Sequence, residues 1–145
     1  MTNANHYRSL ENMYAAAPIN QIYKPTMVVS EGRAEIEMAL SEEYFHSGGG
    51  VHGSVYFQML ADAALFAAGS HEQEFFLLTT SFTTYLTRPV SRGKLKSVGQ
   101  MVHQTKAQFI AEAVVYDSDG NEIGRGNGVF VRSKAPLNQA TGYNK

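Results

Sequence analysis

Asp62 lies where a carboxylate is least expected. From residue 55 to 68 the chain runs Val-Tyr-Phe-Gln-Met-Leu-Ala-Asp-Ala-Ala-Leu-Phe-Ala-Ala, and apart from one tyrosine hydroxyl only Gln58 and Asp62 are polar. Withdrawing a lone carboxylate from water costs several kcal/mol or drives its pKa upward. A carboxylate with a raised pKa suits a general base or nucleophile working near neutrality. Burial suits equally well a structural role, in which a hydroxyl or backbone amide satisfies the acid. The residue types alone leave both roles open.

The stretch just upstream supplies possible partners. His46-Ser47-Gly48-Gly49-Gly50-Val51-His52-Gly53-Ser54 is a glycine-rich loop with two histidines. Its glycines can present backbone N–H groups, and Gly53-Ser54 falls where the apolar segment begins. The unpaired donors and partial positive charge of a helix N-terminus suit an oxyanion or a polarised thioester carbonyl. The plainer role is a flexible turn with Ser54 as N-cap. No Gly-Lys-Ser/Thr follows, so this is no phosphate loop. His46 and His52 have no third ligand at metal-site spacing, so no metal and no cofactor is expected. His52 is expected to order the loop and His46 to touch substrate.

Other motifs are weaker. Asp117-Ser118-Asp119-Gly120 begins like a calcium loop, but Gly128 stands where the terminal Glu is needed, so a hairpin turn is expected. Gly124, Gly126 and Gly128 alternate along a run of strand character and should admit another backbone closely. A Gly-x-Ser-x-Gly elbow is absent, against an α/β-hydrolase. Zero cysteines remove thiolate catalysis, disulfides and cysteine-ligated zinc.

The elements that must position these residues follow from periodicity. A helix is expected at about 6–17, with Tyr7, Leu10, Met13 and Tyr14 on one side. Strands are expected at 23–29 and 33–40, the second alternating charged and apolar residues. The apolar helix at 55–68 comes next. Strand-like runs then occupy 75–86, 95–104, 108–116 and 122–132, the last two joined through 117–121. Strands flanking one central helix argue for an antiparallel α+β domain, with a curved sheet of about six strands wrapped around that helix. The tail from 134 to 145 is polar and is expected to be flexible or docked on a neighbour.

With 145 residues, 43% hydrophobic and 17% charged, the chain fits one domain (1–145) with its core at about 23–133. A net charge of −1 leaves no footprint for nucleic acid. No basic run marks a membrane surface, and no signal peptide or membrane span is evident, so a cytoplasmic protein is expected.

Three pieces of the sequence, in order, resemble a known family: Gly49-x-x-His52-Gly53, Leu60-Ala61-Asp62-x-Ala64, and Tyr85-Leu86-x-Arg88-Pro89-x-x-x-Gly93. The chain resembles hot-dog-fold acyl-CoA thioesterases of the phenylacetate-degradation type, relatives of 4-hydroxybenzoyl-CoA thioesterases, over residues from about 28 to 132. The resemblance implies homodimers that pair sheets edge to edge and associate into homotetramers, with the active site at the subunit boundary. By the same resemblance the Gly53 amide polarises the thioester carbonyl. Asp62 of the partner attacks or activates water, and Thr79, beside Thr80, helps to place that water. His46 stands where relatives often carry Asn, and Ser54 replaces a second glycine.

Asp62 follows His52 by ten residues, one more than the family pattern; the extra residue is expected to be absorbed in the turn or a π-bulge near 54–56, and failing that Asp62 is not aimed as the resemblance implies. The expected activity is metal-independent hydrolysis of an acyl-CoA or related thioester. Asp62, Gly53, His46 and Thr79 would be catalytic; His52, Ser54, Gln58, Thr80 and Arg88 would bind substrate. A hydratase or dehydratase using a histidine with Asp62, and a non-catalytic acyl-CoA-binding protein, are the alternatives.

Overall fold

The computed structural model describes residues 1–144. Among the described residues three α-helices, α1 (Asn3–Ala16), α2 (Asn20–Tyr23) and α3 (Gly53–Gly69), accompany six strands. These are β1 (Thr26–Ser30), β2 (Arg33–Ala39), β3 (Phe75–Leu86), β4 (Lys94–Gln104), β5 (Phe109–Tyr116) and β6 (Glu122–Pro136). They form one sheet in the order β1-β2-β4-β5-β6-β3, every neighbouring pair antiparallel. The sheet wraps α3, which touches all six strands. This is the α+β hot-dog arrangement that the sequence implies.

The packing follows the patterning. On β2 the apolar Ala34, Ile36 and Met38 are buried, and the charged residues between them face outward. On β5, Phe109, Ala111, Ala113 and Val115 turn toward α3. The helix is lined with small residues (Ala63, Ala64, Ala67 and Ala68 are fully buried), so the sheet can come close. The nearest approach is at Gly99 of β4, where any side chain would collide with the backbone of Ala63 and Ala64. The glycines of β6 serve a related purpose: the Phe82 ring of β3 lies across Gly126 and Gly128, and the β3 backbone runs alongside.

Four elements differ from the sequence expectations. α1 begins at Asn3, three residues early, because the Thr2 hydroxyl caps it by accepting from the Asn5 N–H at 3.1 Å. The strand expected from Tyr23 begins at Thr26, because Tyr23 ends the single turn of α2 and Lys24 is left-handed with φ 53°. β6 continues to Pro136, since the start of β3 pairs with it there. The tail, expected to be flexible or docked on a neighbour, packs on its own chain. Leu137 and Tyr143 are buried, and the Tyr143 hydroxyl lies 2.7 Å from Nδ1 of His6 on α1. Among the described residues no helix is long and apolar enough to cross a membrane.

Candidate active site

The glycine loop is held by its backbone. His46 N–H donates to the Gly50 carbonyl, Val51 N–H to Val90 and His52 N–H to Tyr44, each at 2.9 Å. His46 Nδ1 accepts from the Gly48 N–H at 3.0 Å. Gly49 takes φ 85°, which a side chain would resist. His52, rather than Ser54, caps α3: its Nδ1 accepts from the Ser54 N–H at 3.0 Å and lies 2.8 Å from the Ser54 hydroxyl. The Val55 N–H donates to the His52 carbonyl at 3.0 Å. Helix starts leave orphan donors. Here the capping accounts for Ser54 and Val55, and the Gly53 N–H has no acceptor among the described residues.

That amide belongs to the wall of a cleft of about 400 Å³, lined among others by His46, Gly53, Tyr56, Leu86, Arg88 and Pro89. Tyr56 ties the wall together, its hydroxyl donating to the Arg88 carbonyl at 2.8 Å. Three expected site residues, His46, Gly53 and Arg88, therefore meet in one place, with the capping His52 and exposed Ser54 at its edge.

Asp62 is elsewhere in the chain. It follows Gly53 by nine residues along α3, a rise of about 14 Å. The expected absorption of the extra residue near 54–56 is corrected: α3 is an unbroken α-helix from Gly53 to Gly69. A bulge there would displace Val55 and Tyr56, both buried, whereas a regular helix keeps them in the core. The consequence is a division of the helix surface. Phe57, Ala61 and Leu65 form the stripe toward β3, where Phe57 meets Phe82 edge-on with centroids 5.8 Å apart. Gln58, Asp62 and Phe66 form the stripe toward α1.

On that side Asp62 Oδ2 accepts from the Tyr14 hydroxyl at 2.8 Å, the only hydrogen bond to the carboxylate among the described residues. Burial pushes Asp62 up from 3.8 to about 6, against the opposing pull of the Tyr14 hydrogen bond. Gln58 reaches toward the Asn20 side chain at 3.4 Å. Thr79 is exposed on β3, seven residues and roughly 23 Å of strand from Leu86 in the cleft wall. Thr80 donates its hydroxyl to the Val129 carbonyl at 3.0 Å.

Sequence reasoning missed Tyr14 as a site residue. The available signal was its hydroxyl on the apolar stripe of α1, since a buried tyrosine hydroxyl needs a partner. It also missed Tyr56, whose hydroxyl braces the cleft wall.

β3 ends the sheet, so its outer edge has no partner strand among the described residues. Leu78, Tyr85 and Leu86 on this strand and Phe57 beside it are about half exposed. A twelve-residue edge carrying such side chains is a pairing surface unless it is covered.

Residues 48–123, more than half of the chain, match the model of the thioesterase superfamily. The chain belongs to the thioesterase superfamily. Membership supports thioester hydrolysis as its general class of activity. Its fold is similar to that of the E. coli PaaI protein from the phenylacetic acid degradation operon, at TM-score 0.84 and 17% identity over 94% of this chain and 99% of that one. A thioesterase family protein from Silicibacter pomeroyi is similar at TM-score 0.78 and 20% identity, over 90% and 97% of the two chains. A Shewanella oneidensis protein related to the thioesterase superfamily gives 0.81 and 12%, over 90% and 97%. Among curated proteins none matches the chain.

Proposed function

We propose that two copies of the chain pair through the open edge of β3 and hydrolyse an acyl-CoA thioester at two equivalent sites along the seam. The observation that carries this is the Gly53 N–H, left without an acceptor at the positive end of α3 and opening into a cleft. Such a donor stabilises charge that develops on a carbonyl oxygen.

The second group must come from the partner. Asp62 is too far along α3 to reach a carbonyl held at Gly53 of its own chain. A two-fold axis near Phe82 exchanges the ends of β3, bringing the Thr79 and Asp62 end of one subunit toward the Gly53 and Leu86 end of the other. Water positioned with help from Thr79 gives a proton to the free oxygen of Asp62 as its own oxygen bonds to the carbonyl carbon. The negative charge gathers on the carbonyl oxygen beside Gly53. When the carbon–sulfur bond breaks, Asp62 returns the proton to the departing thiolate, leaving a carboxylic acid and free thiol. A base with pKa about 6 is ionised at neutral pH and still basic enough to act.

His46 lines the carbonyl side of the cleft, and exposed Arg88 at its mouth suits the phosphates of CoA. His52 and Ser54 act by fixing the start of α3.

The test is thiol release from acyl-CoAs of differing length and aromaticity. Asp62→Asn should lower turnover by about 10²–10⁴-fold with the fold retained. Unchanged hydrolysis in that variant removes the carboxylate from the mechanism. Acyl-CoA binding without thiol release by the natural chain refutes the enzyme reading altogether.

A further inference from the structure

α1 lies outside the helix–sheet core and could be a simple cover, yet its last turn makes a set of polar contacts that a cover does not need. Tyr14 is fixed at three points. Its ring meets Phe66 of α3 edge-on, with centroids 5.1 Å apart and planes at 70°. Its carbonyl accepts from the buried Asn20 side chain at 2.7 Å. Its hydroxyl donates to Oδ2 of Asp62 at 2.8 Å. Asn20 in turn receives Gln58 of α3 through its amide oxygen, so the turn after α1 is joined to the residue one helical turn before Asp62.

We propose that Tyr14 is the positioning residue of the Asp62 carboxylate: it occupies one oxygen on the α1 side of the helix and leaves the other as the free acceptor. This rests on the reading of Asp62 as the base and deepens it. The physical reason is directional. A carboxylate has two oxygens and a terminal torsion with broad preferences, so a side chain held at no point would present water with a rotating target. Anchoring Oδ2 with a phenol that is itself wedged against Phe66 leaves Oδ1 as the single acceptor in a fixed direction. Catalytic constellations lose rate steeply with small misplacements.

The choice of a phenol also matters. Burial and the neighbouring acid hold the Tyr14 proton well above the ordinary tyrosine range, so the group stays a donor across the working pH. A lysine or arginine in its place would pair with Asp62 and pull its proton affinity far down, weakening the base. A methyl group would leave desolvation unopposed and the acid protonated near neutrality. Tyr14 lies between these limits. It is the only titratable group among the described residues that acts on Asp62; no cation or second acid does so from α1, α2, α3 or the sheet.

The experiment compares Tyr14→Phe with the natural chain. Phenylalanine keeps the contact with Phe66 and removes only the hydroxyl. Hydrogen bonds to charged groups are strong enough to predict about a tenfold or greater loss of kcat. The acid limb of the kcat profile should move upward by about one pH unit, because the ionised form has lost its donor. Carbon-13 NMR titration of the Asp62 carboxyl, which needs no turnover, should show the same upward movement. Tyr14→Phe added to Asp62→Asn should lower activity no further.

An Asp62 titration and pH profile unmoved in Tyr14→Phe overturn the proposal, whether activity is kept or is lost in step with the melting temperature. The underlying assignment fails separately: if Asp62→Asn retains turnover, Asp62 is not the base, whatever Tyr14 does to its titration.

Discussion

Gly53→Pro isolates the backbone donor on which the proposed chemistry depends. Proline at most positions in a helix breaks it, but Gly53 is the first residue of α3, where the missing N–H is an orphan already. The residue before proline must be extended, and His52 already is, at φ −62° and ψ 142°. A Cβ added at Gly53 meets only the tip of a flexible side chain, Leu86 Cδ1, at 3.1 Å. The expected stability change is therefore within about 1 kcal/mol. Losing one oxyanion donor costs about 10²–10³-fold in kcat, or roughly 2.7–4 kcal/mol of transition-state stabilisation. Gly53→Ala, which keeps the N–H, should stay much nearer the natural rate.

The assay has a second arm. Gly53→Pro and Asp62→Asn subunits, unfolded together in equal amounts and refolded, form mixed dimers. If each site takes Gly53 from one chain and Asp62 from the other, a mixed dimer carries one intact site. Random pairing then restores about a quarter of natural activity from two inactive parents. A mixture no more active than its parents would refute the shared site. Full activity in Gly53→Pro alone would refute the oxyanion role.

Asp62→Asn has a stability signature as well as a kinetic one. The folded pKa of about 6 exceeds the unfolded 3.8, so the unfolded chain releases this proton first. Natural stability should fall as pH rises from about 4 to about 6 and level off above, by up to about 3 kcal/mol. Denaturant unfolding at fixed protein concentration should find that this fall is missing in the variant; parallel pH curves would contradict the raised pKa. Leu78→Lys with Leu86→Lys places charge on the open edge of β3 and should yield monomers with little thiol release, read by light scattering. Persistent dimers would place the seam elsewhere. Gly99→Ala forces a methyl against the α3 backbone and should cost about 3 kcal/mol or more, lowering Tm by roughly 10 °C. A melting curve like that of the natural chain would mean that the sheet and helix can part there without cost.

Much of the architecture could be read from residue order. Alternation on β2 and β5, the apolar run of α3 and the turn at Asp117–Asn121 each impose a local period or a local break, which sequence carries directly. The boundaries missed were those decided by partners distant in sequence. β6 runs to Pro136 because Phe75 lies opposite it, and the tail is ordered because Tyr143 finds His6 of α1.

The candidate site divides in the same way. Sequence determined that a carboxylate would sit on an apolar helix and that glycines would stand at that helix's start, because both depend on residue type and spacing. Only the tertiary structure decided which direction Asp62 faces, and with which hydroxyl. A helix can carry an added residue by turning every later side chain about 100°, with no mark left in composition or period. The docking of α1 then determines what that turned side chain meets.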